Sequence, residues 1–364
     1  MNYLTSVISI VPRLPPSIDG VGDYALNLAR QLRKDFNIQT HFIVGNHQWQ
    51  GASEIEDFPV SQVANSSANA LLELLADDHQ SSSILLHYVG YGYAQRGCPV
   101  WLVEALQCWK SLSSKRVLVT MFHELYASSK LPWQSSFWLS SLQKNLVSRL
   151  AQLSDRYITS KQSYADILVK LSNRKHTQID TLPVFSNIGE PDKIPSDLSK
   201  RQLKLVIFGG VANRIRVYQE SQNTLDYVCK SLDIKEILDI GIQTGITPSA
   251  IGNVPILELG KKSSQEISDI LTDSFVGFLD YDSAYLAKST IFAAYCSHRI
   301  LPINAKGSKL VIDGIEVNKH YWFPESQSAN LTDEFLQSIA NEAYAWYQLH
   351  SLSSHTKLFA RHLL

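Results

Sequence analysis

Two glycines, a histidine–glutamate pair, a glycine–aromatic run and a lysine–hydroxyl cluster are the groups in this chain whose types and spacing could do chemistry. Gly20-Val21-Gly22 follows an apolar run at 6–11 and a proline-rich loop at 12–16. It opens a pattern in which Val21, Ala25, Leu28 and Leu32 form one helical stripe. A strand, a glycine turn and a helix N-terminus make an anion-friendly corner, where backbone N–H groups and the helix dipole meet a phosphate or a polarised sugar. Glycine allows a close backbone approach that a Cβ would block. The spacing is G-x-G without a third glycine, so the dinucleotide fingerprint is not met and an ordinary βα turn is the alternative. His123-Glu124 lies just beyond a strand, the usual place for ligand groups in α/β sheets; a histidine capping the next loop is the other reading. His87-Tyr88-Val89-Gly90-Tyr91-Gly92-Tyr93 reads as a loop whose aromatic faces suit the apolar C–H faces of sugar rings. His87, Tyr88 and Tyr91 are therefore expected to line an acceptor, against the alternative of a surface turn with packed tyrosines. Lys288-Ser289-Thr290 at a helix start suits a phosphate or sugar hydroxyl, with plain capping by Ser289 as the alternative.

The elements that must position these groups alternate. Strands are expected at 40–44, 83–87, 115–122, 156–160 and 181–183, and helices at 68–76, 137–153 and 162–171. A linker rich in Pro, Asp and Ser follows at 187–201. A second series has strands at 203–208, 234–240, 255–259, 275–279 and 299–303. Ser263-Ser264-Gln265-Glu266 carries the capping-box pattern, an apolar helix spans 289–296, and the end from 333 is helical. Alternation of this kind implies parallel βαβ units, here in two successive halves.

The length of 364 residues and a 45% hydrophobic content allow two cores. A net charge of -1 argues against a broad nucleic-acid footprint. Cys98, Cys108, Cys229 and Cys296 lack metal or disulfide spacing and are expected as small buried side chains. The first ten residues lack the basic region of a signal peptide, and no apolar run reaches membrane-spanning length; a cytoplasmic location is expected. Trp133, Phe137, Trp138, Leu142, Leu146 and Leu150 form a helical stripe, read as a packed core or lid helix or as a peripheral membrane contact.

The stretch Asp19-Gly20-Val21-Gly22-Asp23-Tyr24-Ala25 resembles the opening of the GT-B glycosyltransferases, in particular the large retaining family (glycosyltransferase group 1) that includes sucrose and glycogen synthases. The resemblance implies an α/β fold of two Rossmann-like domains facing across a cleft, with the C-terminal helix crossing back. Residues 1–190, with 340–364, would be the acceptor domain and 200–335 the donor domain. Gly20 and Gly22 would then lie near donor and acceptor. His123 would hydrogen-bond the transferred sugar, with Glu124 orienting it or meeting the acceptor. Phe208-Gly209-Gly210 precedes Arg214 and Arg216, in the place of cations that bind the nucleotide diphosphate. Alternating on a strand, these two would point apart, so that one reaches the phosphate. Glu258 ends a strand where the family holds the base. The family's E-x7-E glutamates fall at Tyr285 and Ala293, neither of them acidic. The implied reaction moves a sugar from a nucleotide-diphosphate donor to a glycan, lipid-linked or small-molecule acceptor. It needs no metal and no cofactor beyond the donor, and takes place at the front face if retaining. A catalytically degenerate GT-B-shaped binding or regulatory protein is the alternative, and an NAD-dependent oxidoreductase is disfavoured by the incomplete fingerprint.

Overall fold

Apolar runs long enough to be buried on both faces alternate with amphipathic helices and build two parallel sheets, each with its own helices. The computed structural model describes residues 5–17, 19–77, 82–127, 135–324 and 331–364. The chain divides into two units, Met1–Pro183 with Leu352–Leu364, and Val184–Ser351.

Unit 1 runs β1 (Thr5–Val11), α1 (Gly20–Phe36), β2 (Ile38–Val44), β3 (Glu54–Ile55), β4 (Phe58–Gln62), α2 (Ala68–Asp77) and β5 (Ser83–Tyr88). It continues with α3 (Gly90–Tyr93), α4 (Val100–Ser111), β6 (Val117–Phe122), α5 (Ser135–Leu153), β7 (Arg156–Thr159), α6 (Gln162–Leu171) and β8 (Asp180–Thr181). The strand order is β3-β4-β2-β1-β5-β6-β7-β8, parallel except for the β3–β4 pair. β1 pairs with β2 on one side and β5 on the other, Ile8 standing opposite His41 and Ile84. The direction of winding therefore reverses between β1 and β5, the switch point beside which α/β sheets bind ligands. Two apolar clusters cover the sheet. One includes Ile8, Leu86, Leu102 and Leu150, the other Val11, Ala25, Phe42 and Phe58.

Unit 2 runs β9 (Gln202–Phe208), α7 (Val211–Glu220), α8 (Gln222–Ser231), β10 (Glu236–Ile240), β11 (Ala250–Ile251), β12 (Val254–Gly260) and α9 (Ser264–Asp273). β13 (Ser274–Leu279), α10 (Thr290–Ser297), β14 (Leu301–Asn304) and α11 (Asp333–Gln348) complete it. The order β11-β12-β10-β9-β13-β14 reverses between β9 and β13. Ser263 and Glu266 form the expected capping box at the start of α9. The helical end is two helices, and the last, α12 (Leu352–Leu363), belongs to unit 1, where it packs on α1.

The expected aromatic stripe does not form one continuous face. Leu146 and Leu150 are core residues, Trp138 and Leu142 are exposed, and Trp133 and the side chain of Phe137 lie outside the described residues. Cys229 and Cys296 are buried, but Cys98 is half-buried and Cys108 exposed, correcting the expectation for those two. Among the described residues no helix is long and apolar enough to cross a membrane.

Candidate functional sites

In unit 1 the start of α1 is set by Asp19. Its backbone is extended, and its Oδ1 accepts the N–H groups of Val21 (2.9 Å) and Gly22 (3.0 Å). This corrects the expectation of free N–H groups around Gly20 and Gly22, because a carboxylate already satisfies the first turn. Gly22 is required for packing: a Cβ there would run into the carbonyl of Arg13, so the 12–16 loop presses directly on the helix. At Gly20 a Cβ would meet only open space.

Asp23 stands one turn beyond Asp19 on the same helix. Partial burial, with the Asp19 charge added, pushes its carboxyl up to about 6. Two aspartates at i and i+4 are a like-charge pair that the sequence itself displays. The raised value means that ionising Asp23 costs folding free energy, a cost that develops as the pH rises from the ordinary value of 3.8 through 6. Asp23→Asn is therefore expected to stabilise unit 1 by about 2–3 kcal/mol at pH 8 and to change little at pH 4. Thermal unfolding at the two pH values checks this, and an equal effect at both would rule out the shifted carboxyl.

His123 follows β6 and is nearly buried. Its ring stacks on His87 (centroids 5.4 Å apart) and meets Tyr24 edge-on (5.0 Å). His123 Nε2 lies 3.1 Å from Nδ1 of His87, and Nε2 of His87 is buried without a partner. An orphaned N–H costs more than an orphaned acceptor lone pair. Hence His87 carries its proton on Nδ1 and donates it to His123, which leaves the His123 proton on Nδ1. Burial pushes His87 down to about 3, so this pair is neutral at His87 throughout the ordinary pH range. Nearby, Nε2–H of His355 donates to the Pro183 carbonyl (2.8 Å), and its Nδ1 accepts the hydroxyl proton of Tyr24 (2.8 Å). Burial holds His355 down to about 4.

Two acceptor expectations fail here. His87 and Tyr88 are the last residues of a strand in which every position is buried, so neither lines a surface. The glycines that follow made the segment read as a loop. Tyr91, on the short helix α3, is exposed, and Gln143 donates to its hydroxyl (3.2 Å). Glu124 is also exposed.

In unit 2 the Gly209-Gly210 turn leads into α7, which has no side-chain cap at Gly210 and open space beyond that glycine. Arg214 and Arg216 sit on this helix, not on a strand. Two positions apart on a helix still means opposite faces, and the two arginines have different fates. Arg214 is buried and paired with Asp239 of β10; it also donates to the Gly209 and Ile242 carbonyls, and Tyr218 donates to the other Asp239 oxygen. Its expected role as a phosphate cation is corrected: it is a structural pin, over which Gly241 (φ 149°) must lack a Cβ. Arg216 donates to Asn213 (2.7 Å), and its Nε is buried with no partner.

At the other end of α7, Ser221 donates to buried Asp280 (2.6 Å), just past β13, and Lys306 lies 2.8 Å from the same carboxylate. α7 thus lies across the carboxyl ends of the sheet from β10 to β13, over the switch point. A Cβ on Gly209 would meet Ile291, which places the α10 N-terminus beside that of α7. Ser289 caps α10 by accepting the Phe292 N–H (3.1 Å), so its oxygen is occupied as a cap. Thr290 is half-buried at the first helical position, and Lys288 lies with Nζ 5.9 Å from the Tyr285 ring centroid. Glu258 is exposed on β12, in register with Asp239. Lys306 was missed, because only the fold sets it beside Asp280.

No protein-family profile and no curated protein matches the chain in sequence. In structure it is similar to the pneumococcal O-GlcNAc transferase GtfA in complex with UDP and GlcNAc (TM-score 0.64, 9% identity, 99% of each chain covered). It is also similar to an alpha-glucosyltransferase in complex with UDP (TM-score 0.61, 10% identity, 98% of this chain and 99% of that one). A third likeness is to the sucrose-phosphate synthase of Thermosynechococcus elongatus (TM-score 0.59, 10% identity, 98% of each chain). Two parallel α/β units, each wound about a central switch point, give this chain the fold of the GT-B glycosyltransferases.

Proposed function

We propose that the chain is a glycosyltransferase that binds a nucleotide-diphosphate sugar in unit 2 and an acceptor in unit 1. The observation that carries this reading is the Gly209-Gly210 corner. There two helix N-termini come together at the switch point, one of them uncapped by any side chain, and the neighbouring Arg216 has a buried Nε with no partner. Helix N-termini and a guanidinium suit a diphosphate. The likeness in fold to proteins solved with UDP supports the same donor class. In the proposed reaction an acceptor hydroxyl oxygen bonds to the anomeric carbon of the donor sugar. The bond from that carbon to the diphosphate breaks, and the hydroxyl proton leaves with the diphosphate. The two helix N-termini and the cations Arg216 and Lys288 stabilise the leaving charge in a metal-independent reaction. As the family resemblance implies, His123 hydrogen-bonds the transferred sugar, and retention of configuration goes with a front-face course.

Thermal unfolding against UDP-, GDP-, ADP- and dTDP-sugars tests the donor. A ligand at 100 times its Kd adds about 2.7 kcal/mol, and one nucleotide class is expected to shift the midpoint. Arg216→Ala is expected to weaken that ligand by about tenfold or more. His123→Ala is expected to lower turnover while donor affinity holds. Normal kinetics in both variants would remove these residues from the site.

The positions of the missing glutamates favour one other reading, that of a non-catalytic binding protein. Ala293 is buried within α10 and Tyr285 is uncharged, so neither supplies a carboxylate. Absence of any nucleotide-dependent shift in the folded protein would select that reading.

A further inference from the structure

Beyond the carboxyl ends of β1, β2, β4 and β5 lies a concavity of about 530 Å³ in unit 1. That volume is in the range of small-ligand pockets, and the position is the switch point of the sheet. Three aromatic residues, Tyr91, Tyr93 and Trp101, are among those lining it. The indole N–H of Trp101 is buried and has no partner among the described residues. Amides from Asn46 and Gln48 supply further polar handles, and none of the described residues lining the concavity is a carboxylate. Among the described residues lining it, Arg13 is the one arginine or lysine. Its guanidinium stands 3.6 Å from Oδ2 of Asp19, whose other oxygen already caps α1, and its side chain is 41% exposed. An arginine so loosely paired keeps donors for a second anion.

We propose that this concavity binds the acceptor, and that the acceptor is a sugar bearing an anionic group, a phosphate or a carboxylate. The inference rests on the glycosyltransferase reading and names the substrate class of its unit 1 site. The sugar ring lies against Tyr91 and Trp101, and the anionic group meets Arg13.

Calorimetric titration of the 364-residue chain with hexose phosphates, glucuronate, glucose and inorganic phosphate tests the proposal, each with and without UDP. An anionic sugar is expected to bind at least about tenfold more tightly than glucose and than inorganic phosphate. Arg13→Gln is expected to remove most of that preference, and Tyr91→Ala to weaken the sugar but not free phosphate; UDP binding should persist in both variants. Hexose phosphate against glucuronate then identifies the anionic group. Equal binding of glucose, or loss of nothing in Arg13→Gln, overturns the anionic class. Inorganic phosphate binding as well as a hexose phosphate overturns the sugar site. UDP binding with no anionic sugar bound overturns this inference alone, whereas failure of every nucleotide to bind removes the glycosyltransferase reading and the acceptor role with it.

Discussion

Replacing Arg214 with alanine is expected to destabilise unit 2 by about 3–5 kcal/mol, because Asp239 would be left as a buried carboxylate without its cation. For a unit of this size that lowers the unfolding midpoint by roughly 10 °C. The same change frees the Gly209 and Ile242 carbonyls, so the corner that begins α7 loses its tie to β10. Coupling separates this role from ligand binding. Arg214→Ala combined with Asp239→Ala is expected to recover part of the loss, since removing both partners leaves no stranded charge. Thermal unfolding of the single and double variants without ligand is the measurement. An unchanged midpoint in Arg214→Ala would return this arginine to the list of ligand-facing cations.

Acid is expected to weaken unit 1 well before its ordinary carboxylates titrate. His87 and His355 are held down to about 3 and about 4 by burial, against an ordinary value of 6.5. The unfolded chain binds these protons more readily than the native one. The stability they protect is therefore complete above pH 6.5 and falls as the pH drops toward the native values. At about 1.4 kcal/mol per pH unit and per group, the two together forfeit about 5 kcal/mol by pH 4.5. Asp23 works the other way, since protonation relieves its cost, and returns about 2 kcal/mol over the same range. The histidines win, leaving a net loss of about 3 kcal/mol. His355→Gln, which keeps a donor for the Pro183 carbonyl, is expected to flatten the slope of unfolding midpoint against pH. A midpoint independent of pH between 6.5 and 4.5 would show that these rings are not held neutral.

Periodicity made much of the fold legible. The stripe of α1, the mostly apolar, fully buried strands β5 and β13 and the Ser263–Glu266 box all carry local signals that packing reinforces. The missed elements are those where local signals conflict. β4 contains Pro59 and reads as loop, yet it pairs with β2 on one side and only with the two-residue β3 on the other. α4 is apolar through most of its length and lacks the polar alternation that marks an amphipathic helix. The candidate sites were less legible than the frame. Glycine spacing located both turns, but what satisfies each turn depends on residues far along the chain or on a cap. Asp19 occupies the first corner, and Asp239, 25 residues after Arg214, neutralises the cation of the second. Arg13, Trp101 and Lys306 carry no motif, and only the sheet brings them to a carboxyl edge.

The chain leaves unit 1 after Pro183 and comes back at Leu352, which has a consequence for biosynthesis. All of unit 2 must be translated between the two pieces of unit 1, an interval of roughly 10–30 s at ordinary ribosomal rates. Throughout it, nascent α1 presents Tyr24 to a missing partner, the His355 ring of α12. Unit 2 is contiguous in sequence, while the amino-terminal unit waits for its last helix. The half made first is thus the half whose last helix is made last.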